Sequence, residues 1–393
     1  MGPVDSGLIK PVSHNTEEPI DIYNDLGLTP VINAIGNKTT LGGSTATAKV
    51  RAAMDAANEY YVDMPELMEV SGERIATLLD VEAAFVTSGC ASAIVHAAAG
   101  VMAGIDKEMI GRLPDTTGMR NEFIFQHKQR YFYDRCYVVP GGQLVIVGDE
   151  HGCTIEEMEA AIGTNTAAIG YVDKTRGKSE SSLVSIEEAM AIGRTHGLPV
   201  IVDAAYQSFP IEKLRWIAGA ADIVCFGGKY FGAPSSTGFL CGRSDLVQAA
   251  SRQGFVASQS GDRPRSFGRS MKVDRQEIVG MVVALEEWLA MDHEDRILGY
   301  LAKARVVQEA IKTLPSLSSE VALTNSHTGA SLSITFDPGT IGKTGLQIKE
   351  ILASENPSIL LGGSAPSLHL ALHTLHDGQE QRIADRLLAA FTE

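Results

Sequence analysis

Between about residues 45 and 242, amphipathic stretches at helical spacing alternate with short apolar runs, and each run leads into a glycine-rich or polar turn. That alternation predicts an open α/β sheet with helices packed on it. Apolar positions recurring every three to four residues predict helices over 46–61 and 65–79, and the run 83–87 predicts a buried strand. Further strands are expected at 122–126, 143–147, 167–172, 199–202, 222–226 and 238–242. Helices are expected at 154–162 and 185–196, the second opening with Ser185 three residues before Glu188, the spacing of a capping box. The order is that of a mostly parallel, doubly wound sheet. Such sheets bind ligands beyond the carboxyl ends of their strands.

The periodicity breaks over the polar stretch 251–269, and a long apolar-striped helix is expected at 274–291. Beyond it come a helix, strands at 331–336 and 367–373, and a last helix at 379–391, the pattern of an α+β unit. The expected organisation is an N-terminal arm (1–44), a large sheet domain (45–270), and a linking helix with a small C-terminal domain (271–393). No internal repeat or low-complexity tract interrupts it.

With 393 residues, 44% apolar and 21% charged, the chain is long enough for two packed units. No run approaches the eighteen or so apolar residues of a membrane helix, so a soluble globular protein is expected. A net charge of −15 without a basic block argues against nucleic-acid binding. The first ten residues lack the basic and apolar regions of a secretory signal, and a disordered leader to about Pro19 is expected. The five cysteines, odd in number and without C-x-x-C spacing, favour reduced thiols in the cytoplasm and no metal site. Of His369, His373 and His376, the first two fall on an expected strand, where four residues span roughly 13 Å. The first two are therefore too far apart to share an ion, and all three are expected to line a domain face.

Candidate chemistry concentrates at strand ends. Lys229 follows Gly227-Gly228 after the apolar run 223–226, and Asp203 ends the run 199–202. A lysine and a carboxylate leaving successive buried strands suit pyridoxal phosphate: the amine meets the aldehyde, and the carboxylate keeps the ring nitrogen protonated. Taken singly, Lys229 also reads as a solvated loop lysine and Asp203 as a helix cap or a buried ion-pair partner. Ser88-Gly89-Cys90 joins a strand to an alanine-rich helix, an arrangement that lets a phosphate reach backbone N–H groups. Tight strand-to-helix packing selects the same small residues. Gly177-Lys178-Ser179 and Gly342-Lys343-Thr344 lack the first glycine of a P-loop, and no G-x-G-x-x-G occurs.

With these residues in place, the chain resembles the fold type I pyridoxal-phosphate enzymes. Within them it is similar to the group of bacterial selenocysteine synthase and D-glucosaminate-6-phosphate ammonia-lyase. The resemblance rests on 22–28, 31–34 with Leu41-Gly42-Gly43-Ser44, 83–89, Gly227-Gly228-Lys229, 236–243, and 271–273 with 277–280. It implies Lys229 as the Schiff-base lysine and Asp203 as the ring-nitrogen partner, with Ser88, Gly89 and Cys90 forming the phosphate cup beside Gly228. It also implies a homodimer or larger assembly. Two positions depart from the group's pattern: Phe226 stands where it carries a serine, and Gln129 where a ring-stacking histidine is expected. His127 is the alternative stacking residue.

The resemblance favours an α,β-elimination releasing a 2-oxo acid and ammonia from a small amino acid, with racemisation and β-replacement as the alternatives. Arg265, Arg269 and Lys272, with Arg263, are the candidates for gripping an anionic substrate.

Overall fold

A computed structural model describes residues 22–173, 182–259, 265–314, 316–323, 329–364 and 366–392. The expected leader and Arg263 lie outside them. In chain order the strands are β1 (Val31–Ala34), β2 (Ala83–Thr87), β3 (Glu122–Gln126), β4 (Gln143–Val147), β5 (Thr166–Val172) and β6 (Val200–Asp203). They continue with β7 (Ile223–Gly227), β8 (Gly238–Gly242), β9 (Leu317–Leu323), β10 (Ala330–Phe336), β11 (Ser358–Leu361) and β12 (Ser367–Ala371).

Seven of these form the central sheet in the order β2-β8-β7-β6-β5-β3-β4. Every neighbouring pair is parallel except those made by β8, which runs antiparallel to both β2 and β7. Strands β5 to β8 are buried at every position, which is why they read as unbroken apolar runs rather than alternating ones. The helix Cys90–Ala103 crosses this sheet and is buried on nearly all sides, in keeping with its alanine-rich, uncharged sequence.

The strands at 83–87, 122–126, 143–147 and 238–242 match the expected bounds; the other expected elements depart by up to three residues, and the caps explain part of the difference. Ser185 and Thr154 are cap residues of the helices Ile186–His196 and Ile155–Ala160, each completing a capping box with a glutamate three residues on. The C-terminal strands behave differently from the central ones. Ala330, Leu332, Ile334 and Phe336 of β10 face inward while intervening residues are partly or fully exposed, the pattern of a sheet covered on one face.

Buried apolar side chains form two clusters. One surrounds the seven-stranded sheet; the other gathers β10, β11 and β12 with the helices His293–Ile311, Gly345–Ala353 and Gln379–Thr392. Strand β1 pairs in parallel with β11 and puts Ile32 and Ala34 into the second cluster. Part of the expected N-terminal arm is thus a strand of the C-terminal core.

Candidate active site

Four neighbouring strands bring the sequence candidates to one edge of the sheet. Thr87 of β2 is paired with Gly238 of β8, Gly238 with Gly227 of β7, and Cys225 of β7 with Asp203 of β6. The turn Ser88-Gly89, the turn carrying Lys229, and Asp203 therefore follow one another along that edge. Asp203 is the last residue of its strand rather than the first of a loop.

Two glycines permit this convergence. Gly89 sits at φ +89°, a conformation that side chains with a Cβ rarely adopt, and opens the helix Cys90–Ala103. A Cβ on Gly238 would lie 2.7 Å from the Gly89 carbonyl carbon and 2.8 Å from the Cys90 nitrogen, so β8 passes directly beneath the turn. The helix start has no side-chain cap, which leaves its first N–H groups as ready donors for an anion.

Asp203 is buried, and burial pushes its carboxyl above the ordinary value. The Tyr131 hydroxyl donates to one carboxylate oxygen; the Ala205 N–H (3.0 Å) and the Cys90 thiol (3.5 Å) donate to the other. All of these donors are neutral, so the buried charge they surround lacks a cation among its described hydrogen-bond partners. A protonated ring nitrogen supplies one. Burial and the Asp203 charge raise the Cys90 thiol well above its usual range, so it is held as a neutral donor.

Lys229 is half-buried in the turn Gly228–Phe231, and the Gly228 N–H that precedes it donates to the Thr237 carbonyl at 2.8 Å. Its Nζ donates to the Asn37 carbonyl at 3.1 Å and to Thr39 Oγ1 at 3.3 Å. Burial, and secondarily Lys38, lower its pKa, the direction needed for an amine that must act as a nucleophile and base. The uncapped helix start, the buried carboxylate without a cation and the desolvated amine together match the phosphate, ring nitrogen and aldehyde of pyridoxal phosphate.

Gln129 is buried and its amide bonds the backbone of β5. Its amide accepts from the Val172 N–H at 3.1 Å and donates to the Val172 carbonyl at 3.2 Å, imitating a peptide group at the end of β5. His127 is exposed just beyond β3. Sequence reasoning missed Tyr131, whose hydroxyl reaches Asp203 from the same 127–131 segment; a tyrosine two residues past the expected stacking position was the available signal. Phe226 is fully buried and stacks on Phe239 at 5.0 Å, so its side chain belongs to the core.

A cavity of about 310 Å³ opens beside Lys229, lined among others by Asn37, Thr45, Glu287, Arg296, Tyr300 and His373. Arg296 lies 4.8 Å from the Trp288 ring centre, 5.1 Å from Phe209 and 5.5 Å from Tyr300, and its Nε donates to His293 Nδ1 at 2.9 Å. Arg265, Arg269 and Lys272 are exposed and do not line this cavity; Arg265 packs near Gly111. Of the three histidines expected on a domain face, His373 and His376 line the cavity, whereas His369 is exposed and bonded to Ser333. No group of metal-binding residues occurs among the described residues.

No protein-family model matches the chain. It is 33% identical over 346 residues to a 5'-C-glycyluridine monooxygenase-decarboxylase from Streptomyces sp, covering 86% of this chain and 83% of that protein. It is 31% identical over 307 residues to a D-glucosaminate-6-phosphate ammonia lyase from Salmonella typhimurium, covering 77% of this chain and 78% of that protein. A solved structure of D-glucosaminate-6-phosphate ammonia-lyase superposes with a TM-score of 0.82 at 27% identity, covering 94% of this chain and 98% of that one.

Proposed function

Because the chain belongs to the pyridoxal-phosphate enzymes that include D-glucosaminate-6-phosphate ammonia-lyase and selenocysteine synthase, we propose that it is a lyase releasing ammonia from a small amino acid. The single observation that carries the site is that Gly89, Lys229 and Asp203 lie at the ends of β2, β7 and β6 on one edge of the sheet, with β8 passing between the first two. In this reading Lys229 holds the cofactor aldehyde and Asp203 its ring nitrogen. Ser88, Gly89 and Cys90 bind its phosphate at the helix start, beside Gly228. Tyr131 is the residue proposed to lie over the ring, in place of His127 or Gln129. Once bound, the cofactor supplies an electron sink next to the substrate α-carbon.

Lys229, desolvated and freed from the Asn37 carbonyl, takes the α-proton. The same ammonium is then the nearest acid for a departing β-substituent such as hydroxide. Arg296, fixed between aromatic rings, presents its guanidinium to the cavity and suits the substrate carboxylate. Arg265, Arg269 and Lys272 remain candidates for anion contact from a second copy, since a cytoplasmic homodimer is part of the proposal. We take 45–270 as the cofactor domain and 271–393 as the small domain, to which the arm adds β1.

Purified protein given pyridoxal phosphate should show the visible colour of the lysine-bound cofactor, and Lys229→Ala should lose it. D- and L-hydroxy amino acids are then screened for 2-oxo acid and ammonia. Scrambled α-stereochemistry without ammonia would replace elimination by racemisation, and transfer of the β-carbon fragment to a nucleophile would make it a replacement enzyme. The relative named for monooxygenation and decarboxylation makes oxidative decarboxylation the second reading, identified by oxygen uptake with release of carbon dioxide.

A further inference from the structure

Asn37 meets the Lys229 amine through its main chain, and its side chain reaches the Lys229 carbonyl (Nδ2 donating at 3.5 Å) and the surrounding segments. Its carbonyl accepts from Lys229 Nζ at 3.1 Å, while its Nδ2 donates to the Gly43 carbonyl at 3.0 Å and closes the 37–43 loop. A main-chain carbonyl only accepts, so that bond fixes the amide orientation and turns Oδ1 toward His373 Nε2, 3.1 Å away. The amide oxygen also only accepts. His373 Nε2 must therefore carry the proton, leaving Nδ1 as a bare ring nitrogen, buried and without a hydrogen-bond partner among the described residues.

His373 follows β12 of the C-terminal core, 336 residues from Asn37. The two segments are tied a second time, by Thr374 Oγ1 donating to the Asn33 carbonyl at 2.7 Å. Only the first tie leads to the lysine. We propose that Asn37 and His373 are a positioning pair that sets where the Lys229 amine rests, so that the seating of the C-terminal core governs that amine's reactivity. The inference rests on Lys229 being the reactive lysine of the proposed function.

The test begins on the cofactor-free chain. Trace acetic anhydride labels its lysines, and the Lys229 rate is read by peptide mass against exposed Lys49. His373→Phe, which removes the donor to Asn37, should raise the relative Lys229 rate about fivefold or more, while His373→Gln, which restores a donor, should stay within about twofold of the parent. Thr374→Val severs the neighbouring tie and should also stay within about twofold. Should His373→Phe fail to fold, His373→Leu takes its place. An unchanged Lys229 rate in a folded disrupting variant overturns the pair, as does a Thr374→Val effect equal to that of His373→Phe, which would mark general loosening. A second measurement traps added pyridoxal phosphate on Lys229 with borohydride and times its fixation, which the disrupting variant should alter and His373→Gln should not. A parent that fixes none sinks the proposed function, while the acetylation result still decides the pair.

Discussion

The Tyr131 hydroxyl donates a hydrogen bond to the Asp203 carboxylate, joining residues 72 positions apart where the proposed site would meet the ring nitrogen. The bond lowers the cost of a carboxylate that burial otherwise penalises. Tyr131→Phe removes this donor and leaves the Cys90 thiol and the Ala205 N–H. Cofactor affinity should fall about tenfold, since a hydrogen bond to a charged group is worth ~1.5–3 kcal/mol. Titration of the visible band with pyridoxal phosphate measures it.

Asp203→Asn should separate stability from function. The folded carboxyl is an acid with a raised pKa, so its stability contribution falls as pH rises from the unfolded value through the folded one, and at neutral pH the charge opposes folding. The cofactor-free variant should therefore melt about 2 °C or more above the parent, and lose the gain in melting temperature on adding pyridoxal phosphate. Differential scanning fluorimetry with and without cofactor reads both. A cofactor-free variant that melts lower than the parent would contradict the electrostatic account.

Gly238→Ala places a Cβ 2.5 Å from the Phe226 carbonyl oxygen, 2.7 Å from the Gly89 carbonyl carbon and 2.8 Å from the Cys90 nitrogen. All three are backbone atoms and cannot swing aside. We expect a loss of about 2 kcal/mol or more by denaturant titration, together with weaker pyridoxal phosphate binding, because the turn that must move is the proposed phosphate cup. Unaltered affinity in a folded variant would place the phosphate elsewhere.

His373 predicts a specific acid sensitivity. Burial, and secondarily Arg296, lower its pKa from 6.5 to about 4. The unfolded chain binds the proton first, so stability falls as pH drops from 6.5 toward 4 and is fully present above that window. His373→Gln should flatten this part of the stability profile by ~2–3 kcal/mol, measured by urea unfolding across the window. A variant as acid-labile as the parent assigns the sensitivity to other groups.

The cavity makes a separate prediction for Arg296. Replacing it by lysine keeps the charge but loses the planar fork that rests against Trp288, Phe209 and Tyr300. Arg296→Lys should raise KM for the amino-acid substrate about tenfold or more and leave the cofactor's visible band intact. Equal loss of cofactor would show that the side chain supports the fold instead.

Much of this protein was legible in its sequence because central strands buried on both faces must be apolar throughout, and residues at the ends of adjacent parallel strands must converge. Those two constraints are local. They located β2 to β8, the mostly parallel sheet, and Lys229 and Asp203 as neighbours, with Ser88-Gly89-Cys90 on the same sheet edge across β8. Strands β1 and β11 are only four residues long, and β9 is largely exposed, so none of the three carries a strong periodic signal.

Only the tertiary structure decided which distant side chains gather around Lys229 and Asp203. Asn37, Tyr131, Arg296 and His373 come from segments brought together by strand pairing and by packing of two cores, which no spacing along the chain encodes. The same long-range packing commits Gln129 to the backbone of β5 and leaves Arg265, Arg269 and Lys272 on the surface of the single chain. Sequence determined the chemistry at the strand ends because burial and chain direction are written residue by residue. The surroundings of Lys229 depend on how the second core is seated against the first.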